Sequence, residues 1–202
     1  MPNANSEASR LKWNERHSDR EISGAACEVL QQHISLAPQT GSALDLACGL
    51  GRNALLLARH GLECEAVDIS DIAISKLNDY ANEHKLAVTG RCADIENDGF
   101  GNKRYDVIVV SYFLYRPLFQ AIEKALKPGG LLFYQTFVQT KATGSEVIDT
   151  GPSNSNYYLE ENELRAQFKD LEIRYYQETR LQQNSKPVAM LVARKITDRN
   201  TN

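Results

Sequence analysis

Short apolar stretches alternate along this chain with segments of helical periodicity, and this pattern predicts an α/β fold. Residues 105–111 form an apolar run of the kind found in a parallel strand that is covered on both faces. A first strand is expected to begin at Ala43 and a second to end at Asp68. The remaining predicted strands span residues 88–94, 131–135, 172–177 and 188–194, and the last two are expected to form an antiparallel hairpin.

The helices are predicted from apolar spacing and from capping signals. Ser18 can cap a helix with apolar positions up to Ile34, and Ser70 or Asp71 can cap another. Other helices are expected at residues 53–60, from Pro117 to Leu126, and at residues 160–168. The chain is predicted to be one domain over residues 1–202, with a disordered tail (1–10), an N-terminal arm and helix (11–40) and a polar segment that suits an active-site lid (139–156).

The stretch at residues 43–53, Ala-Leu-Asp-Leu-Ala-Cys-Gly-Leu-Gly-Arg-Asn, joins the first strand to the helix after it. Gly49 and Gly51 have no Cβ, so a ligand can approach the backbone closely there. The helix that follows directs its unpaired N–H groups and positive dipole end into the same space. A unit of this kind holds the polar end of a nucleotide-like ligand.

Two ligands are compatible with this unit. Gly49, Gly51 and Ala54 satisfy the dinucleotide pattern G-x-G-x-x-G/A, with the acid Asp68 further on. Acids at three successive strand ends favour S-adenosylmethionine instead. Asp45 can face a cationic methionine end, Asp68 can accept hydrogen bonds from both ribose hydroxyls, and Asp94 can accept one from the adenine amino group.

Residues 43–135 resemble class I S-adenosylmethionine-dependent methyltransferases. The run at 44–53 resembles in particular the tellurite-resistance methyltransferases and their small bacterial relatives, and Leu-Lys-Pro-Gly-Gly at 126–130 matches the turn before that family's fifth strand. The resemblance implies a Rossmann-like three-layer sandwich with a mostly parallel seven-stranded sheet whose last strand is antiparallel. It also implies S-adenosylmethionine as cofactor and S-adenosylhomocysteine as product.

The expected cofactor contacts extend along these strand ends. They are Arg16, Asp45, Ala47, Gly49, Gly51, Asp68, Ile69, Asp94, Ile95 and Ser111. Trp13 has two interpretations: it fastens the N-terminal arm to the body, or the arm folds over the cofactor so that Arg16 pairs with the methionine carboxylate.

The acceptor site is expected beyond the fourth and fifth strands, where an α/β sheet binds its ligands. The residues expected to contact the acceptor are Tyr112, Tyr115, Arg116 and Tyr157. The Asn/Asp-Pro-Pro-Tyr motif of enzymes that methylate adenine, cytosine or glutamine is absent there. Tyr112 or Tyr115 can orient a nucleophile or form only the wall, Arg116 can hold an anionic acceptor such as a metalloid oxyanion, and no catalytic residue is assigned.

Composition bears on three further questions: the kind of partner, metal binding and membrane association. A net charge of −3 disfavours nucleic acid as a partner. The four cysteines have no metal-ligand spacing, so no metal is expected, and reduced, buried thiols are predicted. No apolar run approaches membrane-spanning length, and a cytoplasmic monomer or homodimer with a small-molecule acceptor is expected. The alternatives are an NAD(P)-dependent oxidoreductase and a non-catalytic module that binds adenosylmethionine.

Overall fold

The computed structural model describes residues 4–139, 154–181 and 187–197 of the chain. Its strands are β1 (Ser42–Leu46), β2 (Glu63–Asp68), β3 (Val88–Cys92), β4 (Tyr105–Ser111), β5 (Leu126–Phe137), β6 (Glu172–Arg180) and β7 (Pro187–Arg194). Its helices are α1 (Ala4–Ser18), α2 (Glu28–His33), α3 (Arg52–His60), α4 (Asp71–Glu83), α5 (Ile95–Asp98), α6 (Phe119–Ala125) and α7 (Glu163–Gln167). No helix in these ranges combines the length and the apolar character needed to cross a bilayer.

The seven strands form one sheet in the order β3-β2-β1-β4-β5-β7-β6. Neighbouring strands are parallel except at β7, which runs antiparallel to both β5 and β6. Side chains alternate between the two faces of a strand. In β4, Val107 and Val109 therefore pack on the side of α2, α3 and α4, while Ile108 and Val110 pack on the side of α6 and α7. This three-layer arrangement confirms the predicted fold class.

The N-terminal part differs from its prediction. Helix α1 includes residues expected to be a disordered tail, and Ser18 ends this helix instead of starting the next one. The Ser18 hydroxyl donates to the carbonyl of Glu15 (2.9 Å), and the Lys76 ammonium of α4 donates to the carbonyls of His17 (2.9 Å) and Arg20 (2.9 Å). Cations that bind the last carbonyls stabilise a helix end. The polar helix α1 thus depends on tertiary contacts that its own sequence pattern does not reveal.

Two other boundaries are corrected. Strand β3 ends at Cys92, two residues before the predicted end, and Asp94 caps the short helix α5. Strand β5 begins at Leu126, so the Pro-Gly-Gly segment is an irregularity within the β4–β5 pairing. The predicted lid at 139–156 falls largely outside the described residues, and only its ends are seen. They lie together, because the amide of Gln139 donates to the carbonyl of Leu159 (2.8 Å).

The cysteines are free thiols, and Cys27, Cys48 and Cys64 are buried as predicted. Cys92 is exposed, which corrects the expectation of burial. It lies at the end of β3, an edge strand whose last residues have no cover on one side.

Candidate functional site

The loop between β1 and α3 lies at the carboxyl edge of the sheet, where α/β proteins bind ligands. Its backbone is left-handed at Ala47 (φ 55°), Gly49 (φ 52°) and Gly51 (φ 75°). The amide of Cys48 donates to the carbonyl of Val67 on β2 (3.0 Å). A left-handed alanine costs roughly 1–2 kcal/mol, so this strand end is held in place by its surroundings.

The two glycines of this loop have different physical roles. A Cβ at Gly49 would lie 3.4 Å from the His17 ring, which is ordinary van der Waals contact. A Cβ at Gly51 would lie 2.4 Å from a methyl carbon of the buried Leu77 on α4. Gly49 thus has room for a Cβ beneath the His17 ring, and its left-handed backbone is the reason for glycine there. At Gly51 the structure gives a packing reason for glycine, which the sequence interpretation did not include.

Asp45 is completely buried beneath the loop. Its carboxylate accepts hydrogen bonds from the Ala54 amide (3.0 Å) and from the Asn53 side chain (3.3 Å), so it fixes the first turn of α3. Burial raises the pKa of the Asp45 carboxyl to about 7. A positive charge at this end of the site would therefore favour its ionised form.

Asp68 is the last residue of β2 and is almost buried. One carboxylate oxygen accepts from the Gly49 amide (2.7 Å), and the other accepts from the Ser70 amide (2.9 Å). The cap of α4 is Ser70, whose hydroxyl accepts from the Ala73 amide (3.1 Å). Each carboxylate oxygen has a second lone pair, so Asp68 can still accept two more hydrogen bonds.

Asp94 caps α5 by accepting from the amides of Glu96 (3.1 Å) and Asn97 (3.2 Å). Its second carboxylate oxygen also accepts from the hydroxyl of Ser6 in α1. Ile95 next to it is buried, whereas Ile69 after β2 is half-buried. The structure therefore brings the strand ends of β1, β2 and β3 to one edge, as predicted, and places α1 against them.

Helix α1 lies over these strand ends and contacts α4. Asn14 bonds with both Ser70 (2.8 Å) and Asp71 (2.7 Å). Trp13 is 39% exposed, so it is not a buried plug, and Arg16 stacks on its ring at 4.9 Å from the ring centre. Trp13 and Arg16 are both among the exposed residues of α1, and the pairing of Arg16 with a methionine carboxylate stays a prediction.

His17 is the residue of α1 that reaches the site. It is buried, stacks with Trp13 at a centroid distance of 6.0 Å, and its ring lies over Gly49. Burial lowers the pKa of His17, and the nearby Asp68 carboxylate opposes that shift in part. The Nδ1 atom is buried without a hydrogen-bond partner among the described residues. An unpartnered buried nitrogen is costly and suits a site that a ligand completes.

The ends of β4 and β5 carry a second group of polar residues. The Ser111 hydroxyl accepts from the Asn53 side chain (2.9 Å), which also contacts Asp45. Tyr112 has a left-handed backbone (φ 53°), and its hydroxyl accepts from the side chain of the buried Gln135 (2.8 Å). Ser111 and Tyr112 thus lie beside the loop, and their roles as cofactor and acceptor contacts stay predictions.

The other three predicted acceptor residues are not brought into this group. Tyr115 is half-buried and packs against the core on the α6 side. Arg116 donates to both carboxylate oxygens of Glu163 (2.6 and 2.8 Å) and to the carbonyls of Asn156 and Tyr158. Tyr157 lies in the turn Ser155–Tyr157, and 45% of its surface is exposed. The guanidinium expected to hold an anionic acceptor is thus already paired.

Sequence reasoning missed three site residues: His17, Glu28 and Asn53. His17 lies four residues after Trp13, a spacing that places both on one helix face, but only if the segment is recognised as a helix. Asn53 directly follows Gly51-Arg52 in the first turn of α3, where polar side chains commonly bond to backbone. Nothing in the sequence around Glu28 distinguishes it from a surface acid. Among the described residues, no group of His, Cys, Asp and Glu side chains is arranged to hold a metal ion.

Comparison with known proteins places this geometry in context. A family profile described as "Methyltransferase domain" matches residues 43–130. The chain is 32% identical over 142 residues to a protein of Haemophilus influenzae described as probable S-adenosyl-L-methionine-dependent methyltransferase TehB, over 67% of this chain and 47% of the relative. It is 28% identical over 120 residues to the ubiquinone biosynthesis O-methyltransferase of Coxiella burnetii, over 57% of this chain and 50% of the relative.

This chain therefore spans about half the length of the curated relatives that it matches. The crystal structure of TehB from Haemophilus influenzae has a TM-score of 0.70 with 23% identity, and the match covers 91% of this chain and 67% of that one. Likeness at this level of identity concerns the fold.

Proposed function

Since this chain carries a class I S-adenosylmethionine-dependent methyltransferase domain that resembles TehB, we propose that it transfers a methyl group from S-adenosylmethionine to a small-molecule acceptor and releases S-adenosylhomocysteine. The observation that carries this proposal is the position of the Asp68 carboxylate, 2.7 Å from the amide of Gly49 at the edge of the sheet. A carboxylate held there has spare acceptor capacity for a ribose.

The residues around the loop fit this cofactor. Asp68 accepts the ribose hydroxyls. Asp94 already accepts two hydrogen bonds on each carboxylate oxygen, so it would accept from the adenine amino group beside Ile95 in place of the Ser6 hydroxyl. The Cε1 and Nε2 atoms of the His17 ring lie closest to Gly49, so this ring is placed to contact the cofactor. Asp45 carries a carboxyl whose ionised form a cationic methionine end stabilises.

When bound, the cofactor supplies an electrophilic methyl group on a positively charged sulfur. The protein's part is to position the acceptor and to exclude water. Helix α1 is placed to exclude water, because it already contacts the ends of β2 and β3 through Asn14, His17 and Ser6. Arg16 is exposed and stacks on Trp13, so pairing with the methionine carboxylate would compete with this cation–π contact.

The acceptor is a small molecule. Arg116 was expected to hold an anionic acceptor, including a metalloid oxyanion. Its guanidinium is paired with Glu163 instead, so it is not available for that role. A nicotinamide dinucleotide is the alternative ligand for the loop. The formal glycine pattern alone supports it, whereas acids at the ends of three neighbouring strands support adenosylmethionine.

Calorimetry with S-adenosylhomocysteine and with NADH tests this proposal directly. We expect binding of S-adenosylhomocysteine and none of NADH. Methyl-labelled cofactor incubated with a bacterial small-molecule extract should then yield labelled product. Binding of NADH without binding of S-adenosylhomocysteine would overturn the methyltransferase assignment, and binding without transfer of label would leave a non-catalytic module.

A further inference from the structure

Glu28 lies at the start of α2 and faces the carboxyl ends of β4 and β5. Its side chain is half-buried, and one carboxylate oxygen, Oε2, accepts from the side-chain amide of Gln135 and from the hydroxyl of Tyr112 (3.4 Å). No donor among the described residues reaches the other oxygen, Oε1. The carboxylate thus has one oxygen anchored by the protein and one that is available.

Gln135 fixes this arrangement from inside the protein. It is fully buried, its carbonyl oxygen accepts from the amide of Val29 (2.9 Å), and its amide nitrogen donates to Tyr112 (2.8 Å) as well as to Glu28. The backbone of Tyr112 is left-handed, and strain of this kind is concentrated at functional sites. The Tyr112 ring also packs on Phe137 at a centroid distance of 5.2 Å.

The same group is joined to the proposed cofactor loop. The amide of Cys27, the residue before Glu28, donates to the side-chain oxygen of Asn53 (2.9 Å). The side-chain nitrogen of Asn53 donates to Ser111, the residue before Tyr112, and to Asp45. Asn53 therefore holds Glu28 and Tyr112 side by side at the edge of the first turn of α3.

The titratable groups that face Glu28 are neutral at physiological pH. Burial raises the pKa of the Cys27 thiol to about 12, and burial also raises the pKa of the Tyr112 phenol. Gln135 has no charge. Glu28 contributes the carboxylate that contacts both Gln135 and Tyr112.

We propose that Glu28, Tyr112 and Gln135 form the acceptor subsite and that Glu28 is the general base for an acceptor carrying an O–H or N–H group. This inference rests on the proposed methyltransferase function. The acceptor donates its hydrogen bond to the free oxygen of Glu28 and loses its proton to that oxygen as its lone pair forms the bond to the methyl carbon. The carbon–sulfur bond breaks, its electron pair stays on sulfur, and the proton later passes to water.

The electrostatics of the subsite select against oxyanions. A carboxylate repels an anionic acceptor, and like charges placed together oppose binding. The aromatic rings of Tyr112, Phe137 and Tyr158 lie in series, with centroid distances of 5.2 and 5.8 Å, and their faces favour neutral or cationic groups. The subsite is thus built for a hydroxyl or an amine.

The test uses three probes of different chemistry: catechol, benzylamine and sodium tellurite, each with methyl-labelled cofactor. Wild type should label catechol or benzylamine at least tenfold faster than tellurite. Glu28→Gln retains an oxygen that can accept from Gln135, so the fold should persist. The kcat of Glu28→Gln should fall about 100-fold or more, the usual contribution of a general base. The rate of this variant should rise about tenfold per pH unit, because the acceptor must now ionise by itself.

A binding measurement complements the activity. Calorimetry of benzylamine with the S-adenosylhomocysteine complex should show at least tenfold weaker binding in Glu28→Gln, with unchanged binding of S-adenosylhomocysteine. Glu21→Gln removes an exposed carboxylate with the same change in charge and should behave as wild type. Tyr112→Phe is a second test in case Glu28→Gln does not fold. It keeps the ring and removes the hydroxyl, and it should show a smaller loss of kcat and of benzylamine affinity.

The outcomes separate the two proposals. If wild type does not bind S-adenosylhomocysteine, the methyltransferase function itself fails. The subsite is overturned while that function stands if Glu28→Gln matches Glu21→Gln. It is also overturned if tellurite is the preferred acceptor, or if no probe is labelled although S-adenosylhomocysteine binds.

Discussion

Substituting Gly51 by alanine should reduce stability much more than the same change at Gly49. Both residues have a left-handed backbone, at φ 75° and φ 52°. They differ in what the new methyl group meets. At Gly51 it would lie 2.4 Å from one Leu77 methyl carbon and 2.5 Å from the other, whereas at Gly49 the nearest atom is on His17 at 3.4 Å.

The size of the difference follows from two terms. An alanine in the left-handed region costs roughly 1–2 kcal/mol at either position. The clash with the fully buried Leu77 adds about 1–3 kcal/mol of overpacking at Gly51. For a chain of this length about 1 kcal/mol lowers the Tm by roughly 2–4 °C. A loss near 3 kcal/mol at Gly51 thus corresponds to a fall of roughly 6–12 °C.

Thermal unfolding followed by circular dichroism measures both variants. A double-mutant cycle with Leu77→Ala identifies the cause, because that change alone should cost about 2–5 kcal/mol but less in a Gly51→Ala background. The expected coupling energy is about 1–3 kcal/mol. Equal Tm values for Gly49→Ala and Gly51→Ala, or strict additivity with Leu77→Ala, would refute the packing explanation.

Two further substitutions test the acids at the strand ends. Asp68→Ala should weaken binding of S-adenosylhomocysteine at least about tenfold, since each lost charge-assisted hydrogen bond is worth roughly 1.5–3 kcal/mol. Asp79→Ala on the exposed side of α4 is the control. A fall in Tm with unchanged affinity would make Asp68 purely structural. Asp45→Asn should remove a pH dependence of stability: the folded pKa of about 7 is raised above the ordinary value, so the stabilisation is complete below about pH 4 and is lost as the pH rises towards about 7. In urea titrations the wild type should lose up to about 1.4 kcal/mol per pH unit relative to Asp45→Asn in that range, and parallel curves would contradict this origin.

The parts that the sequence predicts well are those whose signals are local. Strand β4 begins and ends where its apolar run does, and α3 ends at His60, directly before Gly61, whose φ of 114° suits a glycine stop. The loop between β1 and α3 follows from the two glycines between an apolar strand and a helix. In each case the residues that define the element lie within it.

The parts that it predicts poorly depend on partners far along the chain. Helix α1 is polar and depends on Lys76, which lies more than fifty residues after its last turn. The Glu28–Gln135 contact joins residues 107 positions apart. The sequence indicates no partner for Arg116, but in the structure it pairs with Glu163, 47 residues away. Polar side chains have many possible partners at such distances, and only the packed fold selects among them.

The position of α1 also has a kinetic consequence. This helix touches the ends of β2 and β3 with Asn14 and Ser6 and covers the glycine loop with His17. A cofactor seated along these strand ends would lie beneath the helix over its whole length. Entry and departure would then both wait for the helix to lift, and the association rate constant would reflect the frequency of opening more than diffusion. The same opening would set how long the spent cofactor stays, so turnover at saturating cofactor would be governed by product residence time.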